Sequence, residues 1–206
     1  MAIQIEEFFE KNKLLGSFQY GFRKNRSTIS ELLSLFDTLL EAKEMKQEIL
    51  VLLYDLSAAF DTVSHDVLLE KLKIYGFCET SIKWMKSYLC KRKQMVEVDG
   101  KISSDQEINI GTPQGSRLSP LLFIILMADL DLWTENSTLS NFADDTQSIV
   151  IHENRDSLLE ITSKEANNVI KFFGINNLVN NAEKAAVLYN SKGSGSCITA
   201  HFFQGL

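Results

Sequence analysis

Hydrophobic and polar positions switch between two periods along the chain, so helices and short strands are predicted in mixed order. Residues 3–15 bring Ile5, Phe8, Phe9 and Leu15 near one side of an amphipathic helix, with Gly16 placed to stop it. A basic polar segment, 21–26, precedes the cleanest helix of the sequence. There Thr28 and Glu31 have capping-box spacing, and Ile29, Leu32, Leu33, Phe36, Leu39 and Leu40 repeat at helical intervals. Residues 49–54, ILVLLY, are a continuous apolar run too short for a helix; they suit a strand covered on both faces that ends on Asp55. Val67, Leu68, Leu72 and Tyr75 mark a helix closed by Gly76, and Thr80 or Ser81 opens the next, through Ile82, Met85 and Leu89. Around Asp99-Gly100 the period becomes two, the signal of a hairpin. Ser119 and Pro120 supply an N-cap and first-turn proline for an apolar helix to about Trp133. Two short strands fold about Asp144-Asp145, a helix runs from about 156 to 173, and a last strand covers Ala185 to Tyr189. The segment from Ser191 turns small and polar and is expected to fray. Without regular strand–helix alternation the expected class is α+β, an antiparallel sheet with helices packed on one face.

Composition adds exclusions. Two prolines and ten glycines in 206 residues do not describe a low-complexity chain, and 45% hydrophobic residues suffice for a buried core. The longest apolar run, Leu121–Ala128, is less than half a membrane-crossing helix, so no membrane is expected among the partners. The acidic, amphipathic N-terminus does not read as a secretory leader. Three scattered cysteines, Cys78, Cys90 and Cys197, offer neither a CxxC pair nor a disulfide framework. A net charge of −6 counts against nucleic acid until its distribution is considered. Residues 71–101 hold eight lysines and arginines against three acids, whereas 127–165 hold nine acids against two bases. The basic span suits a phosphate backbone, and the acidic one contains the Asp144-Asp145 turn.

The acids carry the sharpest chemical signal. A carboxylate beside a buried strand, as at Asp55, is costly unless compensated; Asp144 and Asp145 drawn to the same place would repel it and raise the pKa values. Hard divalent cations, Mg²⁺ or Mn²⁺, relieve both costs, and a pair of them is the usual clamp for in-line phosphoryl transfer. Either acidic piece alone is commonplace. A third element, GTPQGSRLSP (111–120), holds both prolines of the chain. Its glycines let backbone approach a ligand, and it leads into a helix N-terminus that favours anions. A rigid loop and helix cap account for it equally well.

In order, YDLSAAFDTVSH (54–65), GTPQGSRLSPLLF (111–123) and FADD (142–145) closely resemble the reverse transcriptases of non-LTR retrotransposons of the insect LINE type. FQYGFRKNRST (18–28) and NNLVNNAEKAAVLYNSK (176–192) fit the same family in order and spacing, so the resemblance extends over residues 3–192.

That resemblance implies an RNA-directed DNA polymerase, with part of the fingers in 1–48, a palm in 49–192, a tail in 193–206 and no thumb. It implies that Asp55 and Asp144 hold two Mg²⁺ ions, with Mn²⁺ as a substitute, and that Asp145 supports them. Asp61 looks structural or helix-capping. Phe60 matches the family's aromatic beneath the incoming sugar, where its ring would clash with a 2′-hydroxyl; by residue type alone it reads as a core aromatic. Gln114 and Gly115 match residues beside the incoming nucleotide and templating base. Arg23, Lys24 and Arg26 fall in the fingers block, where basic groups meet triphosphate or template, although a solvated loop explains them as well. Lys184 matches the lysine after the active-site hairpin, a candidate general acid for the pyrophosphate leaving group. The implied partners are an RNA template, a DNA primer and deoxynucleoside triphosphates. The other reading is a non-catalytic retroelement remnant with at most weak nucleic-acid binding. Intact carboxylates favour the polymerase, and the absent thumb favours the remnant.

Overall fold

The computed structural model describes residues 1–181, 185–191 and 199–202. Helices α1 (Ala2–Lys11) and α2 (Thr28–Glu44) lead into strand β1 (Glu48–Tyr54). Helices α3 (His65–Ile74) and α4 (Glu79–Leu89) follow, then four short strands, β2 (Arg92–Gln94), β3 (Glu97–Val98), β4 (Lys101–Ile102) and β5 (Gln106–Ile108). Helix α5 (Leu118–Leu126) and a 3₁₀ turn (Leu130–Trp133) precede the hairpin of β6 (Thr138–Phe142) and β7 (Asp145–His152). The long helix α6 (Arg155–Ile175), then β8 (Ala186–Asn190) and β9 (Thr199–Phe202), come last.

The main sheet has the order β6-β7-β1-β8-β9, with every neighbouring pair antiparallel. The apolar run of β1 explains its central place, since both its faces are covered. Leu50, Leu52 and Tyr54 join the principal core with Val169, Phe172 and Phe173 of α6 and the almost wholly buried α5. Ile49 and Val51 point the other way, packing with Ile149 and with Ala42, Leu35 and Leu39 of α2. The expected α+β architecture is therefore present, and α2 adds partial cover on the reverse face. No helix among the described residues is long and apolar enough to cross a membrane.

Local details depart from the expectations for identifiable reasons. Helix α1 ends at Asn12 rather than Gly16, because the Asn12 backbone and side chain both donate to Phe8 O and Lys13 turns to φ +53. Ser27, not Thr28, caps α2; its hydroxyl accepts from Ser30 N while Ser30 Oγ accepts from Ser27 N, so serine replaces Glu31 in the box. The most apolar stripe of α2 faces outward, with Ile29, Leu32, Leu33, Phe36 and Leu40 all at least half exposed. Its contact stripe is Glu31, Leu35, Leu39 and Ala42, at the same helical spacing but rotated. Helix α5 starts one residue before Ser119 and stops at Leu126, and Arg117 occupies the cap position. Asp99 (φ +50) and Gly100 (φ +71) make the expected two-residue turn between β3 and β4. Thr199–Phe202, expected to fray, instead pairs with β8, satisfying that strand's otherwise unpaired edge.

Candidate active site

Hydrogen-bond register brings the acids together. Strand β1 is paired with β7 from Glu48 opposite His152 to Tyr54 opposite Thr146, and Tyr54 Oη meets Ser148 Oγ at 3.0 Å. One step beyond the last pair, Asp55 stands beside Asp145. Beyond Asp55, Ser57 N donates to Val179 O at 2.9 Å, and Asp55 O accepts from Asn181 N at 2.8 Å. On the other side, β6 and β7 are joined by Ala143 and Asp144 alone, with Phe142 opposite Asp145. A tight hairpin thus delivers Asp144 and Asp145 to the end of β1.

This end of the sheet gathers acidic side chains, and they act on one another. Burial pushes the Asp145 carboxyl above its ordinary range, and the charges of Asp144 and then Asp55 push it further. Among the described residues no three His, Cys, Asp or Glu side chains converge into a ready-made metal cage. The donor set instead fits a hard cation held by one or two carboxylates and completed by phosphate oxygens and water, the usual arrangement for Mg²⁺.

A second group of candidates lines a cleft of about 610 Å³ formed by Phe60, Thr112, Gln114, Gly115, Ser116, Arg117, Ser119 and Pro120. The loop before α5 is tied to the segment after β1. Thr112 N donates to Phe60 O at 2.9 Å, Gly111 N donates to Val63 O at 2.8 Å, and buried His65 donates through Nε2 to Gly111 O at 2.7 Å. Gln114 Nε2 donates to Asp61 Oδ1 at 2.9 Å, which gives Asp61 a structural partner. Gly115 (φ +75) faces open space. The half-buried Phe60 ring packs on Phe123 at 4.9 Å and edge-on against Phe22 at 6.1 Å. Tyr88 of α4 donates to Ser116 Oγ at 2.7 Å, and its ring stacks with Trp84. Across Gln114 and Gly111 lies a second cleft, about 520 Å³, bordered by Arg92 and Lys93 from the basic span.

The fingers-block cations are not gathered at either cleft. The Arg23 guanidinium has only 8% of its side chain exposed; it grips Glu10 through Nε and Nη2 at 2.8 and 2.7 Å and donates to Gly16 O at 2.7 Å. It straps α1 to the following loop and holds the Glu10 carboxyl below its ordinary range. Arg26 donates to Ser17 O and lies 4.7 Å over the Tyr20 ring, whereas Lys24 is exposed. Lys184 lies outside the described residues.

Sequence reasoning missed the segment that joins the two groups. Residues 18–20 run beside β6, the otherwise open edge of the sheet, and Gln19 bridges to Asn141. Gly21 lies against the backbone of Phe142 and Ala143, and Phe22 (φ +56) turns onto Phe60. The only sequence signal was membership in the 18–28 block. Glu31 was also missed as a site neighbour. It is 6% exposed and accepts from Ser140 Oγ at 3.1 Å, two strand positions from Phe142. Burial, reinforced by the charge of Asp145, raises its carboxyl above the ordinary range against the Ser140 bond. A carboxyl raised in this way favours the fold at acid pH, and that contribution is lost as pH climbs from the ordinary glutamate range through the native value. Glu31→Gln keeps the acceptor for Ser140 and removes the loss. Melts across pH 4–8 are expected to show a flatter profile for the variant and a higher midpoint than wild type at pH 7.

Comparison with known proteins accords with this geometry. Residues 1–195 match the model of the family described as reverse transcriptase (RNA-dependent DNA polymerase). The RNA-directed DNA polymerase from mobile element jockey of Drosophila melanogaster is 34% identical over 195 residues, 90% of this chain and 21% of that protein. The probable RNA-directed DNA polymerase from transposon BS of the same species is 34% identical over 136 residues, 63% of this chain and 14% of that protein. The chain therefore spans about a fifth or less of these relatives. A solved telomerase from Candida tropicalis, in complex with a fragment of telomeric RNA, superposes with a TM-score of 0.68 at 17% identity, covering 96% of this chain and 34% of that one; this is a likeness of fold. With its carboxylates at one sheet end and its match across residues 1–195, the chain belongs to the reverse transcriptase family.

Proposed function

We propose that this chain is the part of an RNA-directed DNA polymerase that joins a deoxynucleotide to a primer, with fingers elements in 1–48 and the palm in 49–192. The observation that carries the proposal is the register of β1 against β7, which sets Asp55 beside the Asp144-Asp145 turn while the Phe22–Phe60 contact links that turn to the cleft.

In this mechanism Asp55 and Asp144 would hold two Mg²⁺ ions, and Asp145 would support them. When bound, such ions lower the pKa of a primer hydroxyl and neutralise charge on a triphosphate. The carboxylates supply fixed anionic oxygens at the sheet end. Phe60, braced by Phe123 and Phe22, sets the floor of the sugar site. Gln114, steadied by Asp61, and Gly115, with open space around its backbone, border the nucleotide and templating base. Of the fingers cations, exposed Lys24 is best placed to meet phosphate, because Arg23 is consumed by Glu10. The groove beside Arg92 and Lys93 suits a nucleic-acid backbone, with template choice left to base pairing.

The Phe60 assignment has its own test. In Phe60→Val the ring that would meet a 2′-hydroxyl is gone, so ribonucleotide incorporation relative to deoxynucleotide is expected to rise by about tenfold or more. Competition assays on one primed RNA template measure the ratio. An unchanged ratio with retained deoxynucleotide incorporation would remove Phe60 from the sugar site.

A further inference from the structure

Ala143 immediately precedes Asp144 and adopts φ +60, the left-handed conformation that glycine normally takes at the first position of such a hairpin turn. Both of its backbone polar groups bond to one side chain. Ala143 N donates to Gln19 Oε1 at 3.0 Å, and Gln19 Nε2 donates to Ala143 O at 3.2 Å. Gln19 Oε1 also accepts from Gly21 N at 2.9 Å, which anchors the amide from its own segment. Gln19 is only 2% exposed. Its neighbours continue the pairing, since Asn141 N donates to Phe18 O and Tyr20 N donates to Asn141 O, both at 2.8 Å. At the sheet edge, the glutamine amide thus stands in for the strand that the turn lacks.

We infer that Gln19 is a positioning residue whose amide holds Ala143 in the left-handed turn, aims Asp144 and Asp145 at Asp55, and so sets the affinity of this end of the sheet for a divalent ion. The inference rests on the metal-binding reading proposed above. A glutamine amide offers one acceptor and a donor pair in one plane, matching the N–H and C=O of a single residue. Methionine has the length and neither group. Without the amide, the Ala143 N–H is left buried and unpaired, and the strained turn is free to relax.

Mn²⁺ binding to the purified chain, followed by the electron paramagnetic resonance of the free ion without nucleotide or template, tests this alongside hydrogen exchange of residues 139–147. Wild type is expected to bind and Asp144→Asn to lose that binding. Gln19→Met is expected to exchange about tenfold faster or more across 139–147, with β1 near wild type, and to bind Mn²⁺ about tenfold more weakly. If Gln19→Met does not fold, Gln19→Asn takes its place with the same expectation, because it keeps the amide on a shorter stem. Wild-type exchange and affinity in a folded variant would overturn the inference. Faster exchange with unchanged affinity would also overturn it, leaving a purely structural glutamine. If wild type binds no better than Asp144→Asn, the metal reading itself fails. In that case unaltered exchange overturns the hold of Gln19 on the turn, and faster exchange upholds it.

Discussion

Asp144→Asn is expected to lower RNA-templated deoxynucleotide incorporation by about three powers of ten or more while leaving the fold intact. Transition-state charge stabilisation by a bound metal is worth several kcal/mol, and about 1.4 kcal/mol is tenfold in rate. Asparagine keeps the shape of the turn and removes the anionic oxygen. The same change relieves a native cost, because Asp145 is held above its ordinary pKa by burial together with Asp144 and Asp55. The metal-free variant should therefore melt no lower than wild type. Added Mn²⁺ should raise the midpoint of wild type through linkage and leave the variant's unmoved. Single-turnover incorporation and paired melts with and without the ion measure both effects. A variant keeping more than a tenth of the wild-type rate would remove Asp144 from the catalytic set.

Gly21→Val is expected to damage both stability and site. A Cβ at Gly21 would lie 2.2 Å from Ala143 N and 2.9 Å from Ala143 Cα, and these are backbone atoms that cannot swing aside. Either segment 18–21 must leave the edge of β6 or the Ala143-Asp144 turn must move. Overpacking of this kind costs about 3 kcal/mol, a fall of roughly 6–12 °C in the melting midpoint for a chain of this size. Because Gly21 N also donates to Gln19 Oε1, the damage should reach the carboxylates. Exchange at 139–147 should quicken more than exchange in α6, which packs on β7 and β1. A midpoint within 2 °C of wild type would contradict this close contact.

What could be read from the chain, and what could not, follows from the range of each interaction. Strand β1 was legible because six consecutive apolar residues need cover on both faces, and the reverse face is where α2 lies. The Asp99-Gly100 turn was legible because its chemistry is local. Helix α2 was legible as a helix, but its seating was not: periodicity says which positions share a face and not what faces them. The buried stripe carries Glu31, which hydropathy would place in solvent, and its partner Ser140 lies 109 residues away. Arg23 belonged to a block expected to contact phosphate, yet its guanidinium is taken by Glu10, a pairing that nothing in the local sequence announces. Gln19 was the least visible, since its partner is the backbone of Ala143, 124 residues distant, and a backbone group carries no residue signature. The acids themselves were legible through their placement at strand ends, while their mutual closeness depends on the β1–β7 register.

The central claim is that this end of the sheet performs template-directed deoxynucleotide transfer. It is tested most directly by incubating the purified chain with a DNA primer annealed to RNA of defined sequence, deoxynucleoside triphosphates, and Mg²⁺ or Mn²⁺. The expected result is extension whose added sequence complements the RNA, weakens steeply with salt, and is absent when the divalent ion is omitted. Folded protein that binds the primed RNA and adds no nucleotide with either ion would contradict it.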